Sequence, residues 1–178
     1  PCLCEDLSPE ECLAVLKRSS QAFQFASKQL QSDRSFLLQV AQKNGFALRF
    51  FDVCLQNDAE IVLAAVNFDS YAFRYASLEL RNNRSFVVEM VRKNGLVLEY
   101  VKDEFKSDRA LVLTAVASMG RAFQYASESL KADRDFVLEA IARSQHEASA
   151  VLKCAPEAFQ DDEQIVFNAV TLDSLAIE

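Results

Sequence analysis

The stretch AFQYASESLKADRDF, residues 122–136, decides the fold because the chain repeats it with small changes. Closely similar stretches are AFQFASKQLQSDRSF at 22–36 and AFRYASLELRNNRSF at 72–86. Their starts lie 50 residues apart, and weaker copies begin midway between them, at Ala47 and Val97. The repeat is therefore 25 residues long, with neighbouring repeats alternating in type. Self-similarity at this period predicts a tandem helical array.

Composition places the chain among folded, all-α proteins. Of its 178 residues, 51% are hydrophobic and 25% are charged, which is a globular rather than a disordered balance. Three glycines and three prolines leave little material for hairpin turns, whereas residues that favour helices are abundant. The longest stretch without charged or strongly polar side chains, 110–117, is far shorter than the roughly 20 residues of a membrane-spanning helix. We therefore expect no membrane span.

Charge and cysteine content limit the kinds of partner and the cellular compartment that we expect. A formal net charge of −7 repels phosphate, and lysine and arginine are scattered along the chain, so nucleic acid is not an expected partner. Five cysteines, at positions 2, 4, 12, 54 and 154, are too scattered for a disulfide framework, which favours an intracellular or organellar reducing compartment. The first residue is Pro1 rather than Met, so a targeting peptide or an upstream region could have been removed, and localisation stays open.

Each repeat begins at a residue that can cap a helix, which we count as phase 0. Seven repeats start at Ser8, Asp33, Asp58, Asn83, Asp108, Asp133 and, after four extra residues, Asp162. Serine, aspartate and asparagine are preferred at this position because the side-chain oxygen accepts a hydrogen bond from an unpaired backbone N–H of the first turn. Residues 1–7 are predicted to form an N-terminal extension, and residues 8–178 a tandem repeat domain that ends inside its seventh repeat.

Apolar spacing predicts two helices within each repeat. Phases 3, 4, 5, 7 and 8 are apolar, which indicates a first helix of about ten residues that packs between its neighbours. A pair such as Asn44-Gly45 follows, in which glycine can adopt the left-handed conformation that ends a helix. Apolar residues at phases 14, 15, 18 and 22 then indicate a second short helix. The predicted fold is a right-handed-type α-solenoid of about six and a half helix-turn-helix repeats.

Two further positions carry the same kind of residue in most repeats. Phase 17 is expected to place a column of buried side chains between successive repeats, where truncating one ring costs roughly 3 kcal/mol or more. This column is Phe25, Phe50, Tyr75, Tyr100, Tyr125 and Cys154. Phase 1 carries Arg34, Arg84, Arg109 and Arg134. A cation at a helix N-terminus opposes the macrodipole, so we expect these arginines to pair with a carboxylate of the adjacent repeat or to stack on the phase-17 rings.

No arrangement of residues points to catalysis or to a metal. Cys2, Cys4 and Cys12 are the nearest approach to a zinc site, but a fourth ligand is missing. The one histidine, His146, has no nucleophile and orienting carboxylate that can be placed around it, and is predicted to be an exposed residue of an inserted turn. We expect no catalytic residue, no metal site and no cofactor, and we expect Cys12 and Cys154 to be buried.

A candidate binding surface appears where apolar residues occupy phases that are otherwise polar. Phase 13 reads Gln21, Phe46, Tyr71, Leu96 and Arg121. The same central repeats carry Phe68 at phase 10 and Val53 and Leu78 at phase 20. Equal phases form rows in a repeat array, so these six side chains are predicted to form an apolar stripe that binds a partner. The alternative is a wider core, because phase 13 opens the second helix.

The pattern D-R-x-F-V-L, then N-G, then A-L-x-Y-A-S-x-x-L resembles the helical repeat family known as domain of unknown function 4116. Asp133-Arg134, 136–138, Asn94-Gly95 and 122–130 carry the resemblance, which extends over nearly the whole chain from Ser8. The first repeat, with Ser8-Pro9 in place of Asp-Arg, and the sixth repeat depart from the pattern. The resemblance implies tandem helical repeats of a kind known from protists, algae and some intracellular bacteria, and it implies no activity or catalytic residue.

Two functions are consistent with these observations. The first is a non-catalytic scaffold for protein–protein interaction, or a peripheral structural subunit of a larger assembly. The second is the recognition arm of a longer enzyme or secreted effector whose catalytic domain lies outside these residues. An enzyme within these residues is not expected, because no nucleophile and base can be placed together.

Overall fold

The computed structural model describes residues 8–144 and 147–174, and these ranges contain helices and no β-strand. The predicted extension 1–7, with Cys2 and Cys4, and the predicted exposed turn at His146 lie outside the described residues. The chain forms two compact halves, Pro1–Phe86 and Val87–Glu178, and the boundary falls within the first helix of repeat 4. The fold is an all-α repeat solenoid.

The first helix of every repeat starts directly after its predicted cap. In repeats 2 to 6 this helix has ten residues, as expected from the apolar spacing. The first helices of repeats 1 to 7 are Pro9–Leu16, Arg34–Lys43, Ala59–Phe68, Arg84–Lys93, Arg109–Ser118, Arg134–Arg143 and Glu163–Ser174.

Side-chain capping explains where these helices begin. Asp58, for example, accepts hydrogen bonds from the backbone N–H groups of Glu60 and Ile61, at 3.0 and 3.2 Å. Ser8 forms a reciprocal capping box with Glu11. All seven predicted caps accept at least one such backbone hydrogen bond. Each bond satisfies a backbone donor that the helix itself leaves unpaired.

The second segment of a repeat differs from the single helix that the sequence predicts. In repeats 1 to 5 it begins with a six-residue 3-10 helix: Ser20–Phe25, Gly45–Phe50, Ser70–Tyr75, Gly95–Tyr100 and Gly120–Tyr125. A short α-helix follows: Lys28–Ser32, Val53–Gln56, Leu78–Asn82, Asp103–Lys106, Glu128–Lys131 and, in repeat 6, Glu157–Gln160.

The 3-10 helix and the short α-helix are separate because the phase-18 residue between them has an extended backbone. Ala76, with φ −63° and ψ 153°, is one such residue, and its small side chain is buried. The next residue, Ser77, caps the short helix by accepting a hydrogen bond from the backbone N–H of Leu80. Ser27 caps its helix in the same way through Leu30. The apolar residue at phase 18 therefore lies at the turn between the two helices, with its side chain in the core. The serine that follows it, Ser27 or Ser77, caps the start of a second helix within the repeat.

The glycines serve a different purpose from the one predicted. Gly45, Gly95 and Gly120 do not have the left-handed backbone conformation that was expected to end the first helix. Instead, each lies against the backbone of the following repeat: a Cβ at Gly95 would be 2.4 Å from the carbonyl oxygen of Ala115. Glycine is needed here because only a residue without a side chain allows this approach.

Residues from the first helices and the 3-10 helices form the core. Phases 3, 4, 7 and 8 are buried, as Ile61, Val62, Ala65 and Val66 illustrate. The buried side chains of the 3-10 helices lie at phase 15 and are at most 2% exposed: Phe23, Leu48, Phe73, Leu98 and Phe123.

The predicted phase-17 column is not in the core. Phe25 is 50% exposed, and Phe50, Tyr75, Tyr100, Tyr125 and Cys154 are partly exposed. The prediction was wrong because an aromatic residue that recurs in successive repeats was taken as a sign of burial. Phase 17 is the last residue of the 3-10 helix, directly before the extended residue at phase 18. Three residues per turn place the mostly exposed phase 16 on the side of phase 13 and the buried phase 18 on the side of phase 15. Cys12 is buried as expected, whereas Cys154 is only partly buried.

Stacking joins each repeat to the next within each half. In the N-terminal half, Ala59–Phe68 contacts the first helix of repeat 2 and the 3-10 helices of repeats 2 and 3. In the C-terminal half, Arg109–Ser118 contacts the 3-10 helices of repeats 4 and 5 and the first helix of repeat 6. Isolated helices of this length are marginal in water, so these contacts between repeats stabilise the fold.

Repeat 6 replaces the 3-10 helix with an α-helix, Ala148–Cys154. Asp173, near the end of the first helix of repeat 7, accepts hydrogen bonds from the backbone N–H groups of Ala148 and Ser149, at 2.8 and 2.9 Å. A carboxylate from the next repeat thus satisfies the N-terminus of this helix, because its own N-cap residue, Glu147, makes no side-chain capping bond.

Candidate functional site

A cluster of aromatic and arginine side chains covers the 3-10 helices of repeats 2 and 3, in the N-terminal half. We call it the aromatic–arginine patch. Its members are Phe46, Arg49, Phe50, Phe68, Tyr71, Arg74 and Tyr75.

The geometry of the 3-10 helix brings these side chains to one surface. Residues three apart are aligned along such a helix, so Phe46 lies on the same side as Arg49, and Tyr71 on the same side as Arg74. The alanines and large apolar residues at phases 14 and 15 of the same helices point into the core. The local fold therefore separates a buried apolar face from a face that combines rings and cations.

The rings of the patch form a chain of edge-to-face contacts. The Phe46 ring centroid lies 6.2 Å from that of Phe68 and 5.7 Å from that of Tyr71. Tyr71 in turn lies 5.7 Å from Tyr75. These separations and tilts are those that aromatic quadrupoles favour, so the rings hold one another in place. Phe68 is 49% exposed, and the other three rings are partly exposed.

Both arginines lie over rings. The guanidinium carbon of Arg74 is 4.7 Å from the Tyr71 ring centroid, and its Nη1 donates a 2.6 Å hydrogen bond to the Tyr71 hydroxyl. The guanidinium carbon of Arg49 is 4.8 Å from the Phe50 ring centroid. Cations in this position are attracted to the electron-rich ring face. Among the described residues, neither Arg49 nor Arg74 forms an ion pair with a carboxylate.

The two phenols respond to this environment in opposite directions. A hydrogen bond from the Tyr75 hydroxyl, together with the charges of Arg74 and Arg49, lowers the pKa of Tyr71. The same hydrogen bond to Tyr71, followed by burial, raises the pKa of Tyr75. The charged side chains that act on the pKa values of both phenols are Arg49 and Arg74.

A shallow groove adjoins the patch at Phe68. It has a volume of about 460 Å³ and runs between the first helices of repeats 2 and 3. Its walls are Leu38, Gln42, Glu60, Leu63, Ala64, Asn67 and Phe68. Phe68 belongs to both features, so the patch continues into a mainly apolar depression.

The predicted apolar stripe is brought together only in part. Phe46, Phe68 and Tyr71 form ring contacts with one another. Val53 and Leu78 are 75% and 68% exposed, but they begin the short α-helices rather than lying on the 3-10 helices. Leu96 is partly exposed and belongs to the C-terminal half. Phe46 and Tyr71 are half-buried, so the surface and core interpretations of phase 13 each describe part of the side chain.

The arginines of the patch were not identified from the sequence, although it contains a signal for them. Phase 16 reads Gln24, Arg49, Arg74, Glu99 and Gln124. Within repeats 1 to 5, the cations at phase 16 are confined to the two repeats that carry aromatic residues at phase 13. Combining those two phases would have located the patch.

The phase-1 arginines pair with the next repeat, as predicted. Arg34 forms two hydrogen bonds to the Asp58 carboxylate, at 2.7 and 3.1 Å, and Arg134 pairs with Asp162 at 3.0 and 3.2 Å. Arg109 pairs with Asp133 at 2.8 Å. Each carboxylate also caps a helix, so one aspartate serves both purposes. The predicted alternative of stacking on phase-17 rings is not observed for Arg109, whose guanidinium instead lies 4.7 Å from the phase-3 ring of Phe136.

The described residues contain neither a cluster placed to hold a metal ion nor a helix that could span a membrane. Within residues 8–144 and 147–174, no group of three histidine, cysteine, aspartate or glutamate side chains is placed to hold a metal ion. None of the helices in the described part of the chain has the length and apolar character needed to cross a bilayer.

Repeated caps, glycine contacts and arginine–aspartate pairs define an all-α repeat protein of the solenoid class. The family model described as domain of unknown function (DUF4116) matches residues 9–56, 58–106, 108–146 and 133–178. The chain belongs to this family. Its matches begin at or next to the capping residues Ser8, Asp58, Asp108 and Asp133, so the family motif corresponds to a pair of repeats. Comparisons with curated proteins and with solved structures found no match.

Proposed function

We propose that this protein is a non-catalytic scaffold, or a peripheral subunit of a larger assembly, that binds a protein partner through the aromatic–arginine patch. The observation that carries the proposal is the placement of Arg49 and Arg74 over surface rings without a carboxylate partner among the described residues.

The composition of the patch supports a protein interface. Tyrosine, phenylalanine and arginine are enriched at interfaces, and tyrosine and arginine are among the residues that contribute most to binding energy. The patch contains five aromatic residues and two arginines within two adjacent 3-10 helices and the helix end at Phe68. Exposed contiguous apolar surface on a folded protein commonly marks an interaction site.

The order of the patch also supports binding. The ring of Tyr71 is fixed by contacts with Phe46 and Tyr75 and by the hydrogen bond from Arg74. A partner would therefore meet side chains that are already in place. Less conformational entropy is lost on binding when a surface is ordered beforehand, which improves affinity without additional contact area.

An affinity-capture experiment with matched variants tests the proposal. The immobilised protein is compared with Phe68→Ser/Arg74→Ser, which alters two exposed members of the patch, and with Val53→Ser/Leu78→Ser, which alters two exposed apolar residues outside it. Circular dichroism and urea unfolding verify that both variants are folded. Partners captured from a lysate of the source cell are identified by mass spectrometry, purified and titrated against each protein.

The expected result is a purified partner that binds the wild type and the Val53/Leu78 variant and loses at least ten-fold in affinity for the Phe68/Arg74 variant. A partner that binds the patch variant as well as the wild type would show that the patch is not the site. Loss of binding only in the Val53/Leu78 variant would place the site on the short α-helices instead.

A further inference from the structure

Resting on the proposed function, we propose that the segment bound by the aromatic–arginine patch is an acidic stretch of extended polypeptide, with two carboxylates and an apolar side chain on the same face of the stretch.

Two cations lie close to the same ring in the patch, in a chain whose overall charge is negative. The chain carries a formal net charge of −7, yet Arg49 and Arg74 have no ion-pair partner among the described residues. The ladder arginines Arg34, Arg109 and Arg134, by contrast, are paired with carboxylates of the next repeat. Two cations left without a counter-ion in an acidic protein attract a negatively charged partner, because complementary potentials guide association and select the partner.

The spacing of the two cations determines the spacing of the acidic residues. The guanidinium carbons of Arg49 and Arg74 lie 6.0 and 5.8 Å from the same ring centroid, that of Tyr75, so they are at most about 12 Å apart. An extended chain advances about 3.3 Å per residue. Two carboxylates that are two residues apart, at about 7 Å along the backbone, lie on the same face of an extended chain and can each reach one guanidinium. Arginine can bind a carboxylate through two parallel hydrogen bonds, which favours this pairing.

The aromatic half of the patch accounts for the apolar side chain. Phe68 exposes about half of its surface beside the Phe46 ring and opens into the groove. The groove also contains the carboxylate of Glu60, which is already paired with Arg34. Acidic residues are therefore attracted to the arginine end of the surface. An apolar residue two positions before or after them lies on the same face of the extended chain and can contact Phe68 and the groove.

Single-stranded nucleic acid is the competing ligand, since rings and arginines also bind stacked bases. The observations favour peptide because phosphate recognition relies on many cations, whereas this surface supplies two in a chain of net charge −7. The experiment includes an RNA probe, whose binding is measured alongside that of the peptides.

Selection from a display library of random twelve-residue peptides tests the proposal. The wild type is compared with Arg49→Gln/Arg74→Gln, and with Arg18→Gln/Arg92→Gln, a control that removes the same number of exposed charges outside the patch. A third variant, Arg49→Lys/Arg74→Lys, keeps the charge without the guanidinium and covers the case in which the glutamine variant does not fold. Selected peptides and a fluorescent oligouridylate are then titrated by anisotropy at low and high salt.

We expect selected peptides to carry two Asp or Glu residues two positions apart, with an apolar residue two positions before or after the pair. Their affinity should fall at least ten-fold in the Arg49/Arg74 glutamine variant, less in the lysine variant and not at all in the Arg18/Arg92 control. High salt should weaken binding to the wild type.

The remaining outcomes separate the two proposals. The selected peptides are also titrated against a fourth variant, Phe68→Ser, which removes the exposed ring and keeps both arginines. Peptides that lose affinity for this variant but show no acidic enrichment would overturn the acidic partner and leave the patch as a protein-binding site. Peptides that bind every variant equally, or a library without any selected sequence, would overturn both proposals. Oligouridylate that binds through Arg49 and Arg74 more tightly than any selected peptide would indicate that the ligand of the patch is nucleic acid and not protein.

Discussion

Gly45 lies against the carbonyl oxygen of Ala65, one repeat further along, so closely that a Cβ at Gly45 would be 2.4 Å from that oxygen. The same distance separates a Cβ built at Gly95 from the oxygen of Ala115. Because the obstructing atom belongs to a helix backbone, it cannot rotate away as a side chain would. The Asn-Gly pairs of the sequence therefore maintain close packing between consecutive repeats.

Replacing Gly45 with alanine is expected to destabilise the protein by about 2 kcal/mol, the middle of the range for overpacked sites. Alanine also restricts the unfolded chain, which alone would stabilise by about 0.4 to 1 kcal/mol. The steric effect is larger, so the net change in the free energy of unfolding is a loss. Urea unfolding followed by circular dichroism measures it, and Ser70→Ala, at the same phase of repeat 3, is the control. A Gly45→Ala variant as stable as the wild type would contradict the close contact.

Replacing an aromatic residue with alanine should destabilise the protein more at phase 15 than at phase 17. Phe73→Ala removes a fully buried ring that stacks on Phe86 with centroids 6.4 Å apart, and it should cost about 3 to 5 kcal/mol. Phe25→Ala removes a ring that is half exposed, and it should cost less than about 1.5 kcal/mol. Both values come from urea unfolding under the same conditions. Equal losses in the free energy of unfolding would indicate that phase-17 side chains are part of the core, as the sequence-based prediction stated.

Acid should weaken the arginine ladder. The hydrogen bond from Arg34 is the main cause that lowers the pKa of Asp58, and Arg134 lowers the pKa of Asp162 in the same way. A carboxyl group whose pKa is lower in the folded state stabilises that state above its unfolded pKa of about 3.9. The stabilisation disappears as the pH falls through the lower folded value. The free energy of unfolding should therefore fall below about pH 4, and Asp58→Asn, which keeps a capping side chain without a charge, should show a shallower fall.

Asp33 provides the control for this experiment. It caps the first helix of repeat 2 through Ser35 and Phe36, as Asp58 does in repeat 3, but repeat 1 has Pro9 at the phase where arginine occurs elsewhere. At neutral pH, Asp33→Asn should therefore cost less stability than Asp58→Asn, and the difference should vanish in acid. Equal losses at neutral pH would mean that Arg34 contributes nothing measurable.

Titration of the tyrosines examines the geometry of the patch without a partner. The pKa of Tyr71 is lowered mainly by the hydrogen bond from Tyr75 and additionally by the charge of Arg74. Tyr75→Phe should raise the pKa of Tyr71 most, and Arg74→Gln should raise it less, since each removes one source of phenolate stabilisation. Ultraviolet absorbance of the phenolate measures the titration, and Tyr71→Phe assigns the transition. A Tyr71 transition that does not move in Tyr75→Phe would show that the two hydroxyls are not hydrogen-bonded.

For the candidate site, the sequence identified some members and missed others for a physical reason. Phe46, Phe68 and Tyr71 stood out because they are apolar at phases that are polar in other repeats. Arg49 and Arg74 were missed because an arginine on a helical surface looks like an ordinary solvated residue until its neighbours are known. Phe50 and Tyr75 were assigned to the core because an aromatic residue recurs at phase 17 of successive repeats, and the sequence does not show that the 3-10 helix ends at that residue.

The sequence by itself determined the period of 25 residues, the start of every first helix and the all-α class. These follow from local chemistry: a capping oxygen acts on the next three residues, and apolar spacing reports which face of a helix is buried. Only the tertiary structure decided that the second segment divides at phase 18, that glycine serves close packing and that the rings and cations of repeats 2 and 3 share one surface. Those features depend on distances between atoms of different repeats, which no single stretch of sequence contains.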